Sequence, residues 1–78
     1  MTLEIISAQE VTVKGEAGYV TLPGELGSFT VLKNHAALIS VLVKGEVKYT
    51  TPEGVEKALS IDGGIADVNN NVISVCIY

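Results

Sequence analysis

The residues able to do chemistry in this 78-residue chain are few and scattered. His35 is the sole histidine and Cys76 the sole cysteine. Nucleophilic catalysis requires a Ser or Cys beside a base, with a third group orienting that base. Ser28 and Ser40 are near His35 in sequence, but neither sits in a nucleophile-elbow pattern, and closeness along the chain does not make a triad. The plainer reading of His35 is an imidazole at a strand start that bonds nearby backbone or a partner. Structural zinc wants four Cys or His ligands at tight spacings, and one of each is present. Asp62 and Asp67 read as turn residues rather than paired acid–base carboxylates. Gly63-Gly64 is followed by Ile-Ala-Asp, so it lacks the Lys-Ser/Thr of a phosphate-binding loop. The chemistry expected is none: no catalysis, no metal and no cofactor.

Composition narrows the partners. Nine acids against five bases give a net charge of −4. Five scattered lysines cannot build the basic face that neutralises phosphates, which argues against nucleic acid. Anionic lipid is disfavoured for the same reason. No apolar run approaches the ~20 residues of a membrane span, and the longest, Ala36 to Val43, contains Ser40. The N-terminus MTLEIISAQE has no basic region ahead of a long apolar one, so no signal peptide is expected. A lone cysteine excludes an internal disulfide. Lying in the apolar run Val72 to Ile77, it is expected to be a buried, inert thiol. The expectation is a soluble cytoplasmic protein without direct membrane insertion.

The elements that would position these residues are strands. Val and Ile dominate an apolar fraction of 47%, and branched side chains suit a pleated, half-buried surface. Turn signals recur at Lys14-Gly15, Pro23-Gly24, Gly27, Lys33-Asn34, Lys44-Gly45, Pro52-Glu53-Gly54, Gly63-Gly64 and Asn69-Asn70-Asn71. Such spacing belongs to an all-β sandwich or barrel. Val47, Tyr49 and Thr51 alternate with Glu46, Lys48 and Thr50, the period-2 pattern of a strand with one wet face. Leu59 and Ile61 share a face, as do Ile73, Val75 and Ile77. Residues 34–43 admit two readings. Asn34 suits a helix N-cap and Ala and Leu are good helix formers, whereas Ile39, Val41 and Val43 are β-branched at period 2. The strand reading is preferred. That strand is apolar on both faces, so it is either central or turned towards a partner.

Several patches, in order, resemble one family. Leu3-Glu4-Ile5-Ile6-Ser7 and Lys14-Gly15-Glu16 open it, followed by Val20-Thr21-Leu22-Pro23-Gly24. The most specific stretch is Gly27-Ser28-Phe29-Thr30-Val31-Leu32-Lys33-Asn34-His35-Ala36. Lys44-Gly45, then Asp62-Gly63-Gly64-Ile65-Ala66-Asp67-Val68, then Asn71-Val72-Ile73-Ser74-Val75 complete the register. Over essentially the whole chain this is similar to the N-terminal domain of the epsilon subunit of bacterial F-type ATP synthases. Ala37 departs from the family, which commonly has Pro there, so a rigid φ is lost at that point.

The resemblance implies a single domain, residues 1–78, with an all-β fold: two packed antiparallel sheets of about ten short strands. It implies a non-catalytic rotor subunit of the central stalk, which joins gamma to the c-ring and couples ion translocation to rotary ATP synthesis. By position, the gamma contact falls on His35, Ala36, Ala37 and Ser40. The c-ring contact falls on Glu25, Leu26, Gly27 and Ser28. Localisation follows as peripheral, on the cytoplasmic face of the bacterial inner membrane. Epsilon subunits continue into two C-terminal helices that bind ATP in some bacteria and brake hydrolysis. With the chain ending at Tyr78, neither property is expected of it. The competing class is a small-molecule- or carbohydrate-binding β-sandwich module. The absence of Trp counts against that class, which stacks sugars on exposed aromatics.

Overall fold

The computed structural model describes residues 1–78 and contains seven strands and no helix. These are β1 (Thr2–Ile6), β2 (Val11–Glu16), β3 (Tyr19–Gly24), β4 (Gly27–Leu32), β5 (Leu38–Thr50), β6 (Glu56–Asn69) and β7 (Val72–Ile77). They form one hydrogen-bonded sheet in the order β2-β1-β7-β6-β5-β3-β4. All neighbours are antiparallel except β1 and β7, which run parallel. The all-β class is as expected, but the strands number seven instead of about ten, and one continuous sheet supplies both layers.

Length explains the difference. β5 has 13 residues and β6 has 14. Fully extended, each would reach about 40 Å at ~3.3 Å per residue, yet the longest Cα dimension of the molecule is 27 Å. Both strands must therefore bend, and they bend together. Leu38, Ser40 and Leu42 turn inward in the first half of β5, whereas Gly45, Val47 and Tyr49 do so in the second. In β6 the inward set changes from Leu59, Ile61 and Gly63 to Gly64, Ala66 and Val68. The side-chain alternation shifts by one residue in each strand at matching places, since Val43 pairs with Gly63 and Leu42 with Gly64. The sheet folds over there. One layer holds β2, β1, β7, the end of β6 and the start of β5; the other holds β4, β3, the end of β5 and the start of β6. The shortest dimension, 18 Å, fits two layers packed ~10 Å apart.

Lys44-Gly45 and Gly63-Gly64, read from sequence as turns, are thus the bend inside two long strands. Lys14-Gly15 lies within β2 and Pro23-Gly24 ends β3, the turn itself being Glu25-Leu26. Asp62 and Asp67 are strand residues of β6. Of the remaining turn signals, Gly27 begins β4 and Asn69 ends β6, while Lys33-Asn34, Pro52-Glu53-Gly54 and Asn70-Asn71 lie in turns as expected. Gly54 N–H donates to Thr51 O at 2.9 Å, closing Thr51–Gly54. Asn70 and Asn71 have φ of 51° and 61°, the left-handed pair that a two-residue hairpin requires.

Between the layers lies one core of 13 buried apolar residues. Leu3 and Ile5 of β1, Ile73 and Val75 of β7, and Ala66 and Val68 of β6 line one wall; Val20, Leu22, Val31 and Val47 line the other. Cross-strand partners coincide with these rows: Leu3 faces Ile73, Ile73 faces Val68 and Val68 faces Leu38. Residues 34–43 contain no helix; β5 begins at Leu38, and its β-branched Ile39, Val41 and Val43 outweighed the helix-forming Ala and Leu.

Two ties lie outside the ladders. Tyr19 Oη donates to Glu56 Oε2 at 2.6 Å, and that bond is the main cause of the raised tyrosine pKa. At the N-terminus, Thr2 Oγ1 donates to Glu16 Oε1 at 3.0 Å and the Met1 α-ammonium lies 3.2 Å from Glu16 Oε2. The Thr2 bond first, then the ammonium, hold the Glu16 carboxyl below the usual carboxylate range.

Gly64 packs where a Cβ would collide with the carbonyl oxygen of Cys76 on β7. Gly64→Ala is expected to destabilise the fold by about 2 kcal/mol, as overpacking does, lowering Tm by roughly 8–16 °C for a domain of this size. Gly15→Ala, where a Cβ meets nothing within 4 Å, is the control and should leave Tm within error; equal melting of the two variants would refute the packing account. Glu16 generates a pH prediction. Because its folded pKa is depressed, its contribution is complete above about pH 5 and is lost as pH falls through the folded value. Melting of wild type and Glu16→Gln at pH 7 and pH 3 should show wild type higher at pH 7, with the gap narrowing at pH 3.

Candidate functional site

The stretch Lys33 to Ala37 connects β4 to β5, two strands that flank β3 on either side. It starts in a turn, with His35 N–H donating to Leu32 O at 3.1 Å and Asn34 at φ 63°. His35, Ala36 and Ala37 are all exposed. His35 Nδ1 lies 2.8 Å from the Ala36 carbonyl oxygen. The tautomer protonated at Nδ1 donates there and leaves Nε2 as an outward acceptor. Ser40 is half-buried in β5 and its Oγ donates to Val41 O at 3.2 Å. The bonds of His35 and Ser40 therefore go to backbone carbonyls, and no nucleophile–base pair forms between them.

Glu25 and Leu26 form the β3–β4 turn, and Gly27 and Ser28 begin β4. All four are exposed, Leu26 entirely so. The turn is pinned to β5 by Glu25 N–H, which donates to Val41 O at 2.9 Å. A groove of about 600 Å³ lies between this turn and β5, lined by Glu25–Phe29 and Leu38–Val41. It brings Ser40 together with Glu25, Leu26, Gly27 and Ser28, residues that the family resemblance assigns to two separate contacts. His35, Ala36 and Ala37 lie outside it.

The strongest surface feature was only half visible in sequence. On the outside of the β1-β7-β6-β5 layer, cross-strand pairing aligns Ile6, Cys76, Ile65 and Val41 in one row. Ile39 and Val43 flank Val41 on β5. Ile39 is 74% exposed, Ile65 48%, Val41 47% and Val43 43%. The ring of Tyr78, 81% exposed, lies at Gly63, where a Cβ would come within 2.8 Å of it. Beside it runs a polar row, Glu4, Ser74 and Asp67 opposite Ile39, with Lys14 Nζ 3.8 Å from Glu4 Oε2. The apolar outer face of β5 was legible as period-2 β-branched residues. Ile65 and Cys76 were not, since their partners across the ladder set the row. Cys76 is exposed, contrary to the buried thiol expected. Ile73 and Val75 take the inward positions of β7, so pleating turns Cys76 outward.

Residues 1–77 match the family model of the "ATP synthase, Delta/Epsilon chain, beta-sandwich domain". An ATP synthase epsilon chain of Bordetella petrii is 37% identical over 75 residues, covering 96% of this chain and 53% of that one. One from Stenotrophomonas maltophilia is 40% identical over 72 residues, covering 92% and 51%. The chain thus spans about half the length of the curated relatives it matches. Among solved structures, a chain of the Euglena gracilis mitochondrial ATP synthase (OSCP/F1/c-ring, rotational state 1) superposes with a TM-score of 0.89 at 25% identity, covering 96% of this chain and 48% of that one. A chain of the Tetrahymena thermophila mitochondrial ATP synthase central stalk/c-ring gives 0.81 at 15% identity, covering 97% and 61%, a likeness of fold alone. This chain belongs to the ATP synthase delta/epsilon chain β-sandwich family.

Proposed function

We propose that this chain is the β-sandwich part of a central-stalk rotor subunit of an F-type ATP synthase, a non-catalytic body that links gamma to the c-ring. Supporting the reading above all is the unbroken family match over residues 1–77. The relatives named as epsilon chains and the likeness to a chain from a complex containing F1 and a c-ring agree with it. In this reading the protein sits peripherally on the cytoplasmic face of a bacterial inner membrane, as part of the complex, and torque rather than chemistry passes through it.

Two adhesive surfaces are needed, and the groove and the apolar row offer them. His35, Ala36, Ala37 and Ser40, with the outward face of Ile39, Val41 and Val43, form the proposed gamma contact. Covering apolar area is favourable by about 25 cal/mol per Å², and side chains 43–74% exposed have much area to cover. Glu25, Leu26, Gly27 and Ser28 at the β3–β4 turn form the proposed c-ring contact. A rim ion pair of Glu25 with a c-ring base would add only about 0–1 kcal/mol, so the exposed Leu26 carries more of that contact.

Isothermal titration of this chain against the gamma subunit from the same genome, at low and high salt, tests the reading. One-to-one binding that changes little with salt is expected, as an apolar interface is not screened. His35→Ala should leave Tm within about 2 °C, because the side chain is exposed, and weaken gamma about 5–30-fold, the range for a contributing interface residue. Absence of binding between two folded proteins would sink the proposal. Unfolding of the His35 variant with unchanged affinity of its folded fraction would remove His35 from the contact.

A further inference from the structure

Asn34 and Asn71 are 37 residues apart in sequence yet bond each other twice. Asn34 backbone N–H donates to Asn71 Oδ1 at 2.6 Å, and Asn71 Nδ2 donates to Asn34 Oδ1 at 2.9 Å. Asn71 also accepts on its carbonyl from Thr2 N–H at 2.9 Å, so one residue binds the β4–β5 connection, the β6–β7 turn and β1. Both asparagines are left-handed, at φ 63° and 61°, a conformation Asn adopts more readily than most residues. Their place is the crossing from one layer to the other. β4 ends in one layer, β5 begins in the other, and the connecting residues Lys33–Ala37 belong to no ladder. Apart from the turn bond at His35 and the ring contact with Ala36, the asparagine pair supplies that segment's hydrogen bonds.

We infer that Asn34 and Asn71 form a clasp that positions the His35-Ala36-Ala37 loop for partner docking. Neither need touch the partner. An exposed five-residue connection that ordered only on binding would lose affinity to the entropy of ordering. A loop held beforehand does not. This role rests on the proposed gamma contact, whereas the clasp itself can be examined without gamma.

Glycine tolerates φ > 0, so Asn71→Gly removes both bonds and Asn34→Gly only the one that its Oδ1 accepts, while the backbone conformation stays available. Asn70→Gly is the control, since Asn70 shares the turn and the positive φ but not the clasp. The expected result for Asn71→Gly is amide exchange at Asn34 faster by about 5–10-fold, the worth of roughly one hydrogen bond. Gamma affinity should fall by a similar factor and Tm stay close to the control's. Asn71→Asp keeps the acceptor for Asn34 N–H and should recover part of both effects. The Asn34→Gly, Asn71→Gly double variant should bind no worse than the weaker single one, because the two side chains act as one unit. Exchange indistinguishable from the control would overturn the clasp. Faster exchange with unchanged gamma affinity would overturn its positioning role. If the unaltered chain fails to bind gamma, the stalk reading and that role fall together, and exchange alone then decides whether the clasp holds the loop.

Discussion

If the alternation of β6 ran unbroken from Leu59 to Asn69, Asp67 would enter the core and Val68 would leave it. A buried, unpaired carboxylate costs far more than one lost apolar contact, so the strand must change phase between Ile61 and Val68. It does so at Gly63-Gly64, where both residues are buried. There Gly63 adopts φ 145° and Gly64 lies against the Cys76 carbonyl. β5 changes phase opposite it, beside Lys44-Gly45, and so a single sheet makes both walls of one core. The close packing of β6 on β7 and the outward position of Ile65 both descend from this one-residue shift.

The shift also decides what the outside of the molecule offers. On the gamma-proposed side it exposes Ile39, Val41, Val43 and Ile65 together, whereas without it Ile65 would be a core residue and Ala66 a surface one. The same fold-over separates the end of β4 from the start of β5, so that the connection carrying His35 must cross between layers. Ladder bonds cannot hold a crossing segment. The asparagine pair, drawn from two left-handed turn positions, does so with side chains.

Much of this was legible in the residues. Period-2 patterning placed Val47, Leu59, Ile61, Ile73 and Val75 inward, and the structure buries or half-buries each of them. The Pro52-Gly54 and Asn70-Asn71 turns were equally readable, because proline and positive-φ asparagine act locally. The bend was not. A Gly-Gly pair looks the same in a turn and in a strand that changes phase, and only the pairing of β5 with β6 across Leu42–Gly64 separates the two. Cys76 was misplaced because a general tendency of cysteine to be buried was weighed above the pleat of its own strand. Of the candidate site, the residues of the β4–β5 loop and the β3–β4 turn came from the family resemblance. The meeting of that turn with Ser40 in one groove depends on Glu25 N–H bonding Val41 O, a contact between segments 16 residues apart that no local pattern encodes.

For a body proposed to carry torque, the route of load matters as much as the adhesive surfaces. A force on the outer face of Ile39, Val41 and Val43 enters β5, which is joined to β6 by 12 register pairs spanning the bend. Of 47 backbone hydrogen bonds, 38 lie within strand ladders, so displacement of one strand must stretch many bonds at once. The β3–β4 turn is coupled to the same strand, both through the ladder at Gly24–Leu42 and through Glu25 to Val41. The proposed gamma and c-ring contacts thus bear on one strand, β5, with its first half meeting one partner and its Leu42 level tied to the turn that meets the other. A sandwich assembled from two independent sheets would pass such a load through side-chain packing between layers. One sheet folded over at two glycine-bearing strands passes it through backbone hydrogen bonds, the stiffer of the two routes.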